Sequence, residues 1–161
     1  MNTNSSTYVY KFGGTSVRDP QRIRLAVSLT TTSGDAGRKI VVVSALGGVT
    51  DQLLQAVELA EMRDPGYHAY LEEIARRHEQ VLLDVVASTE QAGIRTQLEK
   101  LWHYLGELLD GVFLLRECTA RTRDALIGMG ERAAAPLVAA AFRAADISAS
   151  VNRTTRSVFT Q

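Results

Sequence analysis

A lysine, two adjacent glycines and two hydroxyls fall within six residues near the start of the chain: Lys11, Gly13, Gly14, Thr15 and Ser16, with Phe12 joining the first to the rest. This set has the chemistry of an anion site. Adjacent glycines let the backbone turn sharply and approach a ligand closely. N–H groups at the start of a following helix, with the positive end of its dipole, favour a bound anion, and Lys11 adds a full charge. The same residues also describe a tight strand-to-helix turn beside a surface lysine. The order excludes two common phosphate motifs, since neither GxxxxGK[ST] nor GxGxxG occurs here.

A second stretch repeats the pattern. Ser44-Ala-Leu-Gly-Gly-Val-Thr-Asp51 carries a second Gly-Gly turn, with Thr50 or Asp51 as helix cap. A third, Gly128-Met-Gly-Glu131, is expected to break a helix and place Glu131 at the start of the next one, over 132–145. A plain loop and a dipole-favoured surface glutamate are the simpler readings of these two stretches.

The elements that position these residues follow from periodicity. Tyr8 to Phe12 reads as a strand, and a helix is predicted over Pro20–Thr32, with Asp19 as cap and Ile23, Ala26, Val27 and Thr30 on one face. Lys39 to Ser44 reads as a second, parallel strand covered on both faces, completing a right-handed βαβ unit. Ligands of such sheets bind beyond the carboxyl ends of the strands, which brings both glycine turns to one edge. A helix then ends near Arg63, before the Asp64-Pro-Gly66 turn. Two apolar seams follow, Tyr67 to Val85 and Ile94 to Leu115, separated at Gly93; they predict an antiparallel helical hairpin. Trp102, His78 and Cys118 are expected to be packing residues. Ile147 to Val151 reads as a third strand, and the polar residues 1–7 are expected to be disordered.

Composition bounds the function. The chain has 161 residues, 45 % apolar and 22 % charged, enough for one domain with a core. Eighteen basic residues balance eighteen acidic ones, so neither nucleic acid nor a membrane surface is expected as a partner. No continuous apolar run approaches about 18 residues, so no membrane span is expected. The single cysteine, Cys118, fits a reducing, cytoplasmic setting. His68, His78 and His103 lack metal-ligand spacing, so no protein metal site is expected.

Lys11-Phe-Gly-Gly-Thr-Ser-Val17 resembles the opening signature of the aspartokinases, within the amino-acid kinase superfamily. The strand, serine, small-residue loop and threonine over 39–50 are similar too, and so is the Thr/Arg/Asp stretch that leads to Gly130-Glu131. The resemblance implies an α/β fold, an αβα sandwich on a parallel sheet of the carbamate kinase-like type, here helix-rich and incomplete. It implies transfer of the γ-phosphoryl group of ATP to the side-chain carboxylate of L-aspartate, with Mg2+ held mainly through phosphates. Lys11 would be catalytic, and Lys11, Phe12, Gly13, Gly14, Thr15, Ser16 and Ser44 would bind ATP phosphates. Thr50 and Glu131 would hold aspartate. The chain departs from the pattern at Ala133, Ala134 and Ala135, where the family has a hydroxyl, and nothing is carried over to residues 152–161.

The resemblance runs from Tyr8 to about Val151 and covers the first part of the family's pattern. Residues 8–161 are therefore expected to be the N-terminal portion of a longer kinase domain, without its second nucleotide-binding half or regulatory domains. A sheet with an unpaired edge also favours a homo-oligomer. Two alternatives stand: a related kinase with glutamate or carbamate as acceptor, and a catalytically silent scaffold or interaction module.

Overall fold

The computed structural model describes residues 6–34 and 37–152. β1 (Thr7–Phe12) leads into a single 3-10 turn at Gly14–Ser16, then α1 (Pro20–Thr32) and β2 (Arg38–Val43). Four longer helices follow: α2 (Val49–Glu61), α3 (Tyr67–Val85), α4 (Ser88–Leu115) and α5 (Ala120–Arg143). The tail beyond 152 and residues 1–5 of the expected disordered segment lie outside the described residues. The last residue of that segment, Thr7, already belongs to β1.

β1 and β2 are parallel, in register from Thr7 opposite Arg38 to Phe12 opposite Val43. Both are rich in β-branched and aromatic residues, which suit a pleated, half-buried surface. α1 crosses between them and buries Ile23, Ala26, Val27 and Thr30, as its spacing predicts. Its C-terminus is tied to the sheet: Lys39 Nζ donates to the Thr30 carbonyl at 2.6 Å, and Tyr10 Oη donates to Ser33 Oγ at 2.6 Å. A lysine there also complements the helix dipole. β2 is not covered on both faces, however. Val9, Ile40 and Val42 are exposed on the outer face, at 65 %, 40 % and 46 %. Four apolar residues in a row express the identity of the strand, but covering its second face takes elements that the described residues do not supply.

The hairpin of α3 and α4 is antiparallel: Tyr67 meets Asp110 and Phe113, His78 meets Trp102, and Glu79 pairs with Arg95. The break lies at Val86 and Ala87, not at Gly93, which sits inside α4 with open space where a Cβ would be. A glycine in an exposed helix costs only about 1 kcal/mol, which packing of the seam overrides. The seam drifts along this long helix. Leu109 is buried where Leu108 is half-buried, and Leu115 is 78 % exposed. A 3.6-residue turn rotates out of a 3.5-residue repeat in this way.

α5 is the central helix and touches α1, α2, α3, α4 and β2. It runs unbroken through Gly128, Gly130 and Pro136, so Glu131 stands mid-helix rather than at a helix start. The proline removes one N–H, which leaves the Arg132 carbonyl without its helical partner. By length and hydropathy alone α5 passes for a membrane span, contrary to the count of continuous apolar residues. Yet 61 % of that stretch is buried inside the fold, as in a core helix. Residues 147–151 form no strand. Ile147 N–H donates to the Phe142 carbonyl, and Arg143 Nη1 donates to the Ala149 carbonyl, so these groups close the end of α5 instead of joining a ladder.

Candidate active site

The two glycine turns abut. A Cβ added at Gly14 would lie 3.3 Å from the Ala45 carbonyl oxygen and 3.6 Å from Gly47 Cα. One added at Gly47 would lie 3.1 Å from the Gly14 carbonyl oxygen and 2.6 Å from Arg18 Cβ. The backbones approach closely because neither carries a side chain. Parallel pairing sets this up: the ladder continues one step past β2, with Ser44 N–H donating to the Phe12 carbonyl at 3.0 Å. Both turns therefore leave the sheet at its carboxyl edge.

Lys11 lies on the exposed face of β1, and its Nζ lies 3.6 Å from the point where a Gly13 Cβ would be. It makes no ion pair among the described residues. The ammonium thus stands over the first turn without a carboxylate to neutralise it. Under it, the N–H groups of Gly13, Gly14 and Thr15 have no acceptor among the described residues. Ser16 differs from expectation. Its N–H is spent on the Gly13 carbonyl at 2.9 Å, closing the 3-10 turn, so only its hydroxyl is left for a ligand.

The helix dipole enters from another element than the sequence suggests. α1 starts after Asp19, which accepts from Arg22 N–H at 2.9 Å, and Pro20 occupies its first turn, both as predicted. That N–H holds the Asp19 carboxyl below the usual carboxylate range, helped by Arg18. An N-terminus already occupied by a carboxylate has no use for a second anion. α2 is different. Its cap is Gly48, left-handed at φ 84°, with no side-chain cap, so neither Thr50 nor Asp51 is the cap. Thr50 and Asp51 are its first-turn residues, and their N–H groups have no acceptor among the described residues. Thr50 is half-buried, as is Ser44. The dipole at this edge is therefore that of α2.

Gly130 brings α5 to the same place. Its Cβ would stand 2.8 Å from Ala45 Cβ and 3.1 Å from Val49 Cγ1. The glycine is thus a contact between α5 and the second turn. Glu131, the next residue, is solvent-exposed. Ala133 and Ala134 are fully buried, which accounts for small apolar residues where the family pattern has a hydroxyl.

Residues 6–160 match the amino acid kinase family. The chain belongs to that family. Aspartokinase 2 of Arabidopsis thaliana is 34 % identical over 126 residues, covering 78 % of this chain and 22 % of the relative. The aspartokinase of Schizosaccharomyces pombe is 33 % identical over 147 residues, 84 % of this chain and 27 % of the relative. Among solved structures, E. coli aspartokinase III in complex with aspartate and ADP superposes with a TM-score of 0.73 at 27 % identity. The match covers 88 % of this chain and 30 % of that one. The same enzyme in complex with lysine and aspartate gives 0.73 at 29 % identity. The chain thus spans under a third of the length of these relatives. The α/β fold and the aspartokinase resemblance read from the sequence are borne out by these matches.

One hollow of about 330 Å3, between α3 and α4, is lined by Arg76, Glu79, Arg95 and Trp102 and includes no residue of the glycine turns. Both its arginines are already paired, Arg95 with Glu79 across the hollow and Arg76 with Glu73 on its own helix. Donors without acceptors and an ammonium without an ion pair occur at the turns among the described residues. Sequence reasoning missed three features at this edge: the uncapped start of α2, Gly130 as a contact, and Arg77, whose Nη2 donates to the Gly47 carbonyl at 2.8 Å. The first was legible, because no Ser, Thr, Asp or Asn stands directly before Val49.

Proposed function

We propose that this amino acid kinase chain is the part of an aspartate kinase that grips the transferred phosphoryl group and the acceptor. The reaction is ATP-dependent phosphorylation of the L-aspartate side chain to 4-phospho-L-aspartate, the first step towards lysine, threonine and methionine. One observation carries this reading: two glycine turns in mutual contact, with the Lys11 ammonium over one and free α2 N–H groups at the other. The relatives, named as aspartokinases, support the choice of acceptor.

The acceptor carboxylate is already ionised near neutral pH, so no general base is required. Catalysis then rests on positioning and on charge stabilisation. Lys11 neutralises charge on the moving phosphoryl oxygens. The N–H groups of Gly13, Gly14 and Thr15, with the Ser16 and Ser44 hydroxyls, hold phosphate oxygens, and Phe12 fixes the approach to the turn. Thr50 and Glu131 hold aspartate, the Glu131 carboxylate accepting from the amino group of the aspartate. Magnesium, in this reading, is held mainly through the nucleotide phosphates. Magnesium supplies further charge neutralisation when bound. A cytoplasmic setting, supported by one unpaired cysteine, and self-association at the open sheet edge belong to the same proposal.

Lys11→Ala in the intact protein is the test. Removing one such electrostatic contact raises the barrier by about 3–4 kcal/mol, a loss of roughly 10²–10³ in turnover. Near-normal phosphoryl transfer to aspartate in that variant refutes the role.

A further inference from the structure

Arg77, on α3, reaches from the helical hairpin to the second glycine turn. Its Nη2 donates to the Gly47 carbonyl at 2.8 Å, and its Nη1 donates to Gln52 Oε1 at 3.1 Å. Nη1 also lies 3.8 Å from where a Gly48 Cβ would be. The two acceptors bracket Gly48, Val49, Thr50 and Asp51, which are the left-handed cap and the first turn of α2. Backbone bonds from Val49 N–H to the Leu46 carbonyl and from Gln52 N–H to the Gly48 carbonyl close this turn, but Gly48 has no side-chain cap, and glycine is the most permissive backbone residue. Arg77 forms no ion pair among the described residues. A half-buried guanidinium whose recorded acceptors are a neutral carbonyl and a neutral amide is costly unless those bonds do something. A planar fork fixes two acceptors relative to each other, which a lysine cannot do.

We propose that Arg77 is a positioning residue, which clamps the second glycine turn to the first turn of α2 and so holds Thr50 and the free N–H groups in the geometry that binds the amino-acid acceptor. The proposal rests on the assignment of that turn to the acceptor. It predicts an asymmetry, because the first turn, assigned to phosphate, is not held by Arg77.

The experiment uses Arg77→Met and Arg77→Lys in the intact protein. Arg77→Met is expected to raise KM for aspartate about tenfold or more, the size of a lost charge-assisted hydrogen bond. KM for ATP is expected to stay within about twofold, and Arg77→Lys to fall between wild type and Arg77→Met. An unchanged KM for aspartate, or an equal rise in both constants, overturns the proposal. Amide hydrogen exchange gives a second readout that needs no turnover. Residues 46–52 are expected to exchange faster in Arg77→Met while α3 and α4 keep their protection. Unchanged exchange there overturns the clamp. A wild-type protein inactive on aspartate defeats the proposed function, and the exchange experiment then decides the clamp by itself.

Discussion

Gly128 and Gly130 lie two residues apart in α5, and the structure predicts different outcomes when each becomes alanine. In a helix, Gly→Ala gains about 1 kcal/mol from backbone entropy and propensity. At Gly128 nothing lies within 4 Å of the new Cβ, so that gain should appear almost in full. At Gly130 the new Cβ meets Ala45 Cβ at 2.8 Å, Val49 Cγ1 at 3.1 Å and Leu53 Cδ1 at 3.4 Å. The closest of these is a Cβ, rooted in the backbone of the second turn, and cannot swing aside. Overpacking of this kind costs about 1–3 kcal/mol. The propensity gain is common to both variants, so Gly130→Ala should be about 1–3 kcal/mol less stable than Gly128→Ala. For a chain of this size 1 kcal/mol shifts the melting temperature by about 2–4 °C. Thermal and urea unfolding of the two variants measure the difference directly. A Gly130→Ala protein as stable as Gly128→Ala would show that α5 does not press against the second turn, and the assembly of the site would fail with it.

Two further predictions concern the hairpin. Burial pushes the His78 pKa down from 6.5 to about 4, opposed by its contact with the Ile74 carbonyl and aided by the Arg77 charge. The folded protein thus keeps the imidazole neutral, while the unfolded chain takes up a proton below 6.5. Stability from this residue is level above about pH 6.5, falls as pH drops towards 4, and loses roughly 3 kcal/mol in all. His78→Phe removes the titration and the unpartnered Nε2, so urea midpoints at pH 7 and pH 4.5 should lie closer together in the variant; equal acid sensitivity refutes this. Tyr67 Oη donates to Asp110 Oδ1 across the hairpin, and Tyr67→Phe should cost about 1 kcal/mol, discounted for the exposed carboxylate; an unchanged urea midpoint counts against that bond.

Local signals were legible wherever one residue decides its own neighbourhood. Asp19 and Pro20 set the start of α1, and its apolar face fell where the spacing put it. The β-branched and aromatic runs marked both strands, and the rule for parallel sheets brought the glycine turns to one edge. Misreadings arose where a residue's meaning depends on a distant partner. Gly93, Gly128 and Gly130 read as helix breakers, yet each lies within a helix, because burial of long seams outweighs about 1 kcal/mol per glycine. The expected third strand found no ladder to join.

By itself the sequence determined the anion-binding vocabulary of the first turn, the helical and strand periods, and the family to which they belong. Tertiary structure decided which donors are free. Ser16 N–H is consumed within its own turn, Asp19 satisfies α1, and the start of α2 is left open behind Gly48. It also decided that Gly130 is a contact and that Arg77 reaches the second turn. The reason is physical. A propensity is a property of a residue and its neighbours in the chain, whereas a free donor or a close approach is a relation between segments that meet only when the chain is folded.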